Sequence, residues 1–430
     1  MHYVKLIAGT LLLMVLWVAF VFFSAFYGWW MKPIVPHGET EEFFQWASLE
    51  LESKNAGNAA LLVIAEGEVV AEYYSSSHDS IDGSTVFLTA SMSKWFAANG
   101  VMKLVQDGLI DLDTPVSSYL TRWEFPSSEF DNNQVTTRRL LSHTAGLVDG
   151  LGFGDYSADE EIPALEESLS NPRASNNRDV EITVGIEPGS AWRYSGGGYL
   201  ILQLLIEEVT GTTFREYMAK TFFEPLGMTR STYIYMGDVE NNAGSYDRNG
   251  QAAPIYKYAS DAATGFITSS SDLARFVLAQ IPGQGNDAIL DQSTLETMRQ
   301  PHGRTLGVDI WGLGTILYSP TGGGDFVFGH DGANDPAINS AVRINPESKD
   351  AIVILATGGP PIATNIGSQW VLWQTGYPDV LNSESIIKSM YLPMLVGLLI
   401  LLLTSIYMGH RYHRRSQQGS RMKKVETRGT

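Results

Sequence analysis

The chain has 430 residues, 44% of them hydrophobic, which is enough for one large domain or two modest ones. The net charge of −18 is unevenly spread: residues 33 to 387 hold 19 Lys plus Arg against 46 Asp plus Glu, a net of −27, while the ends are basic. That acidity argues against nucleic acid as a partner and disfavours highly anionic substrates, and the absence of cysteine excludes disulfide and thiolate chemistry.

From Leu6 to Met31 the chain carries no charge, a run longer than the about 20 residues that a membrane-spanning helix needs. No convincing small-x-small cleavage site follows, so the run reads as an uncleaved anchor with Trp29 and Trp30 at the interface. A second apolar run, residues 391 to 408, is followed by "HRYHRRSQQGSRMKK", and positive flanks stay cytoplasmic. Two spans return the N-terminus to the same side. The predicted layout is an N-terminal anchor over 1–32, an extracytoplasmic domain over 33–385, a transmembrane helix over 386–409 and a basic cytoplasmic tail over 410–430. The protein is then integral to the cytoplasmic (inner) membrane, its large domain facing the periplasm or the cell exterior.

After the first span, "ETEEFFQWASLELESK" reads as an amphipathic helix with acids in its first turn. Two apolar runs around Glu66 and Gly67 give a hairpin signal. Residues 93 to 275 read mainly as helices and loops, with "KWFAANGVMKLVQDG", "GYLILQLLIEEVTG" and "SSSDLARFVLAQI" at helical spacing. Strands return late, in "GLGTILYS", "DFVFGHDG", "INSAVRINP" and "DAIVILATG", before a final helix "IATNIGSQWVLWQ". "TGGGD" at 321 to 325 reads as a hairpin turn, because no P-loop lysine follows it. Strands at both ends with helices between them predict an α+β fold: one antiparallel sheet closed by terminal segments, beside a helical lobe.

Ser-x-x-Lys occurs three times, at Ser91–Lys94, Ser385–Lys388 and Ser420–Lys423. Ser420 falls in the polar tail, and Ser385 sits at the membrane boundary, where Lys388 is free to snorkel. Ser91 follows apolar "VFLTA" and precedes a helical pattern that sets Lys94 on its face. A half-buried lysine loses proton affinity and serves as a base for the serine. The same spacing also describes a serine-capped helix with a solvated lysine. Two further stretches bear on the choice. In "PGSAWRYSGGGYLIL", Tyr194 precedes a glycine run and a helix, where a phenol relays a proton and glycines permit close approach. In "FVFGHDGAND", His330 and Asp331 alternate to opposite faces of a strand. Gly332 leaves room for substrate along that strand, and the Ala333 amide is a candidate oxyanion donor.

These stretches, in this order, resemble the serine beta-lactamase and penicillin-binding-protein-like family, on its class C beta-lactamase and D-aminopeptidase/esterase side. "SMSK" at 91 to 94, "YSG" at 194 to 196 and "HDG" at 330 to 332 carry the likeness. "VTTRRLLSHTAGL", "EPLGMTRSTY", "AATGFITSSSDLARF" and "WGLG" extend it over roughly residues 45 to 375. The resemblance implies a beta-lactamase/transpeptidase-like fold in which Ser91 forms an acyl-enzyme. Lys94 and Tyr194 would share general base and acid duties, and the amides of Ser91 and Ala333 would form the oxyanion hole. His330 would stand near the substrate's carboxylate or leaving group. It implies no metal and no cofactor, and it assigns His143 of "LLSHTAGL" a structural place.

The chain departs from the pattern twice. Gly196 stands where relatives carry an asparagine that contacts substrate, a loss of about 0.5 to 1.5 kcal/mol for one hydrogen bond. His330 stands where many carry lysine, which weakens capture of a carboxylate. The expected activity is therefore hydrolysis of small D-residue peptides, amides or esters. A slowly acylating penicillin-binding sensor and a true beta-lactamase are the alternatives.

Overall fold

Along β1 (Ala59–Ala65) successive side chains alternate, and both sets are buried: Leu61 and Val63 join one apolar cluster, Leu62 and Ile64 another. A strand covered on both faces belongs at the centre of a layered domain. In the computed structural model, which describes residues 2–150, 154–173, 180–283 and 289–426, β1 pairs with β2 (Glu68–Ser75) and with β10 (Asp350–Thr357). Beyond β10 follow β9 (Ile338–Asn345), β8 (Phe326–Asn334), β7 (Ile316–Pro320), β6 (Val308–Trp311) and β5 (Gly303–Thr305). These eight strands form one sheet among the described residues, with every neighbouring pair antiparallel. Two short strands, β3 (Val86–Leu88) and β4 (Ile267–Ser269), pair separately.

The helices Thr40–Lys54 and Ile362–Thr375 cover one face through Phe43, Leu51, Ile366 and Trp370. The other face meets the helical lobe, including Ser93–Gln106, Gly196–Thr210 and Ser270–Gln280. This is the α+β arrangement expected, an antiparallel sheet flanked by terminal helices beside a mainly helical lobe. The four late strands lie where the sequence predicts them. The three-residue strands β3, β4 and β5 escape a pattern reading because three residues carry no period.

The described residues fall into two compact units. One spans Ile34–Thr375 with Asp379–Leu381, and holds the sheet and lobe. Within it the last segment is pinned by the Val380 N–H, which donates to the Tyr318 carbonyl at 2.9 Å. The other comprises the chain up to Pro33, Gly376–Pro378 and residues from Asn382 on. It contains the helices His2–Ala25 and Ser383–Glu426, packed through Val21, Ala25, Ile386 and Met390. Within that pair Thr10 Oγ1 donates to Ser405 Oγ at 2.8 Å, and Trp17 Nε1 to the Pro393 carbonyl at 3.2 Å. Both helices are long and apolar enough to cross a membrane, by length and composition. Of the basic tail 410–430, residues 427–430 lie outside the described residues, as does Met1 of the N-terminal anchor.

Candidate active site

Ser91 sits in a single 3-10 turn, Ala90–Met92, between β3 and the helix Ser93–Gln106. It caps neither element: the capping positions are Thr89 and Met92, without side-chain caps. The preceding residue, Ala90, has φ +49°, in the left-handed region that a residue with a Cβ seldom occupies. Strain of that kind persists where surrounding structure imposes it, commonly at reactive sites. Here Ser93 Oγ imposes it, donating to the Ala90 carbonyl at 2.6 Å and accepting the Phe266 N–H at 3.0 Å.

Lys94, one turn on, is fully buried. Its Nζ donates to Ser91 Oγ at 3.3 Å and to the Ala263 carbonyl at 2.9 Å, in the turn Asp261–Gly265. Desolvation pulls its proton affinity down to about 7, and the field of Asp149 opposes this. The solvated-lysine reading therefore does not describe this residue. The amine lies 4.9 Å from the centre of the Tyr194 ring, and Ser91 beside that phenol partly offsets the effect of burial on it. Burial raises the phenol's pKa, so Tyr194 holds its proton at neutral pH. Ser91, Lys94 and Tyr194 thus converge, from positions up to 103 apart in sequence.

Gly196 opens the helix Gly196–Thr210, and its N–H donates to the Gly150 carbonyl at 3.1 Å. Ser195, the residue before, accepts the Gly198 N–H on Oγ at 2.8 Å and donates its hydroxyl to Asp149 Oδ1 at 2.5 Å. Its backbone N–H donates to His143 Nδ1 at 3.1 Å. The His143 ring is buried 4.3 Å from Tyr194 and 4.7 Å from Trp311, which makes it a wall of the site.

β7 pairs with Phe326–Gly329 of β8, whereas β9 pairs with Phe328–Asn334. Residues 330 to 334 therefore leave the edge on the β7 side without a strand, and Ala333 is exposed there. His330 is buried beside Trp311, with ring centres 5.5 Å apart. Its Nδ1 lies 2.6 Å from the Asp331 carbonyl, which only accepts, so Nδ1 carries the proton and Nε2 the lone pair. Burial lowers its pKa to about 4, so the ring is neutral at pH 7 rather than partly charged. Asp331 turns to the opposite face, as alternation predicts, where it pairs with buried Arg343. Gly332 also answers a packing constraint. A Cβ there would come 1.8 Å from the Thr89 carbonyl and 2.5 Å from Ser340 Oγ. The glycine brings β8 against the turn that carries Ser91.

Among the described residues, the Ser385–Lys388 pair gathers nothing comparable. Exposed Lys388 pairs with Glu384 instead, and the side chains of Ser420 and Lys423 lie outside the described residues. Sequence reasoning missed Asp149, Ser93 and Ala263. Asp149 and Ala263 act across long sequence separations, and no local pattern marks them. Nearby, a cavity of about 190 Å³ is walled by Leu88, Arg215, Tyr235, Lys257, Tyr258 and Asp261 among others. The Tyr258 hydroxyl accepts from Asn334 Nδ2 at 2.8 Å, tying this wall to the end of β8.

Comparison with known proteins bears on the family and the fold. The beta-lactamase family matches residues 45–375. The chain is 28% identical over 152 residues to penicillin-binding protein 4* of Bacillus subtilis (strain 168), a stretch covering 35% of this chain and 31% of that protein. It thus spans about a third of the length of that relative. The octameric penicillin-binding protein homologue from Pyrococcus abyssi shares the fold at TM-score 0.64, with 24% identity over 78% of each chain. D-amino acid amidase from Ochrobactrum anthropi SV3 does so at TM-score 0.58, with 23% identity over 83% of this chain and 99% of its own. Fold, ordered motifs and the match over most of its length together show that this chain belongs to the beta-lactamase family.

Proposed function

We propose that this chain is a membrane-tethered serine hydrolase that works through an acyl-enzyme on Ser91. One observation carries the reading: the buried Lys94 amine, its proton affinity brought down to about 7, donates to Ser91 Oγ at 3.3 Å. At neutral pH a large share of Lys94 is the free amine, which takes the Ser91 proton as Oγ bonds to the substrate carbonyl carbon. The amides of Ser91 and Ala333 receive the carbonyl oxygen as it becomes an oxyanion. When the tetrahedral intermediate collapses, the bond to the leaving amine or alcohol breaks. Tyr194 passes that group a proton and recovers one from Lys94. Water, deprotonated by the same groups, then hydrolyses the ester and restores Ser91.

The substrate class follows from two side chains. Neutral His330 offers a lone pair where a cation would capture a carboxylate, and Gly196 offers no side-chain donor. Both favour amides, esters or D-residue peptides without a carboxylate beside the scissile bond, and disfavour beta-lactams. The aromatic and cationic cavity beside the Asp261–Gly265 turn gives an acyl-side group room. The two apolar helices support a membrane tether, with the large domain on the outer side of the cytoplasmic membrane.

Intact mass after exposure to a fluorophosphonate, and separately to a penicillin, tests the reading. A fluorophosphonate adduct on Ser91 that is lost in Ser91→Ala is expected. Folded protein without that adduct would overturn the assignment. Retention in the membrane fraction through alkaline carbonate is expected of the tether.

A further inference from the structure

The opening of the helix Gly196–Thr210 is held by a carboxylate from another part of the chain. Asp149 is 5% exposed, and both its oxygens are engaged. Oδ1 accepts the Ser195 hydroxyl at 2.5 Å and Oδ2 accepts the Gly197 N–H at 3.0 Å. With Gly196 N–H on the Gly150 carbonyl and Gly198 N–H on Ser195 Oγ, the first three amides of the helix are all satisfied. The second glycine makes this possible: a Cβ on Gly197 would come 3.1 Å from Asp149 Cγ and 2.7 Å from Ile182 Cγ1. The glycine run admits a buried acid to the helix start.

The position of that acid has a consequence for catalysis. Ser195, which it grips, is joined through the backbone to Tyr194, whose ring centre lies 4.9 Å from the Lys94 amine. Among the described residues Lys94 contacts no carboxylate; its hydrogen-bond acceptors there are Ser91 Oγ and the Ala263 carbonyl. The other titratable groups around the amine are Tyr194, Tyr199, His143 and His330, and none of them supplies negative charge at neutral pH. Among the described residues Asp149 is the carboxylate whose field reaches Lys94 and favours the ammonium; burial raises its own pKa, and the hydrogen bonds it accepts from Ser195 and Gly197 oppose that and favour the carboxylate.

We propose that Asp149 is a positioning residue of the acylation machinery: it clamps the Tyr194–Ser195 turn in place and is the counter-charge for the proton that Lys94 takes from Ser91. A neutral site would leave the newly formed ammonium buried without compensation, which is costly. Placing the acid one residue layer away stabilises the ammonium without a direct ion pair that would lock Lys94 in its protonated, non-basic state. This inference rests on the hydrolase reading above.

The test is the rate of Ser91 labelling by a fluorophosphonate as a function of pH, in the full-length chain and in Asp149→Asn and Asp149→Ser. Labelling by the unaltered protein rises with pH as Lys94 loses its proton. Without the negative charge the ammonium is less favoured, so the midpoint moves to lower pH, by at least half a unit. The plateau rate falls at least tenfold as Tyr194 loses its clamp. The two substitutions are complementary, because Asn brings its NH2 against the Gly197 amide whereas the shorter Ser leaves space for water there. A folded variant whose midpoint coincides with that of the unaltered protein would overturn the inference. Failure of both to fold would also overturn it, leaving Asp149 a helix cap alone. Absence of labelling in the unaltered protein instead defeats the hydrolase reading itself.

Discussion

The backbone N–H of Ser195 donates to His143 Nδ1 at 3.1 Å, and this bond fixes the tautomer of a buried imidazole. With Nδ1 accepting, the ring proton sits on Nε2, and burial drives the pKa well below its ordinary value. The ring therefore braces Tyr194 and Trp311 rather than cycling a proton. His143→Ala is expected to lower stability by about 2 to 4 kcal/mol, as large-to-small core substitutions do. Its Ser91 labelling rate in the folded state should fall less than tenfold, whereas Lys94→Ala should fall about 10²- to 10⁴-fold. Equal losses in the two variants would give His143 a chemical role.

His330 makes stability depend on pH in a defined direction. Its pKa is about 4 in the folded chain against an ordinary 6.5. As pH falls below 6.5 the unfolded chain takes up a proton that the folded ring refuses until about 4, so stability is lost across that window. The loss from His330 alone is roughly 3 kcal/mol at one pKa unit per 1.4 kcal/mol. His143 acts in the same direction, while the raised pKa of buried Asp261 acts in the other. Urea unfolding at pH 7 and pH 4.5 should show a smaller difference in His330→Gln than in the unaltered chain. An equal difference would mean that His330 titrates normally.

The sheet was legible in the sequence where its strands are long enough to show a pattern, as at β8 to β10, whose apolar residues recur over eight or nine positions. Ser91, Lys94, Tyr194 and His330 stood out in the sequence as residue types at ordered positions, and the structure brings Lys94 against Ser91 and the Tyr194 ring. What the sequence concealed is what the fold creates. Ala90 at φ +49° occupies a conformation usually left to glycine, so its residue type gives no sign of it. Asp149 meets Ser195 across 46 residues. The neutrality of His330 was hidden for the same reason, since burial rather than residue type sets it.

Gly332 makes a further case, because its spacing constraint is backbone against backbone. A methyl group there would lie 1.8 Å from the Thr89 carbonyl, and no side-chain rotation relieves that. Overpacking costs about 1 to 3 kcal/mol where neighbours can move, and here the neighbour is the turn that carries Ser91. Gly332→Ala is expected to lose at least 3 kcal/mol in urea unfolding and to abolish fluorophosphonate labelling. Labelling at the unaltered rate would show that β8 need not lie against that turn.

Behind His330, on the opposite face of β8, Arg343 is fully buried between two acids. It pairs with both Asp331 oxygens and, at 3.2 Å, with Asp379 Oδ2, and its guanidinium lies 3.5 Å from the centre of the Tyr318 ring. The Ser368 hydroxyl completes the group by donating to Asp379 at 2.9 Å. Removing one partner of a buried pair leaves the other charge uncompensated, which costs about 3 to 5 kcal/mol, although a wholly apolar replacement is often neutral. Arg343→Met is therefore expected to destabilise by that amount, because Asp331 and Asp379 are stranded. Arg343→Met combined with Asp331→Leu and Asp379→Leu should recover at least half of the loss. Because Asp331 adjoins His330 on the same strand, the single variant should also slow Ser91 labelling, and the triple variant should restore it. Full stability in the single variant would show that the guanidinium is not what holds the two acids together.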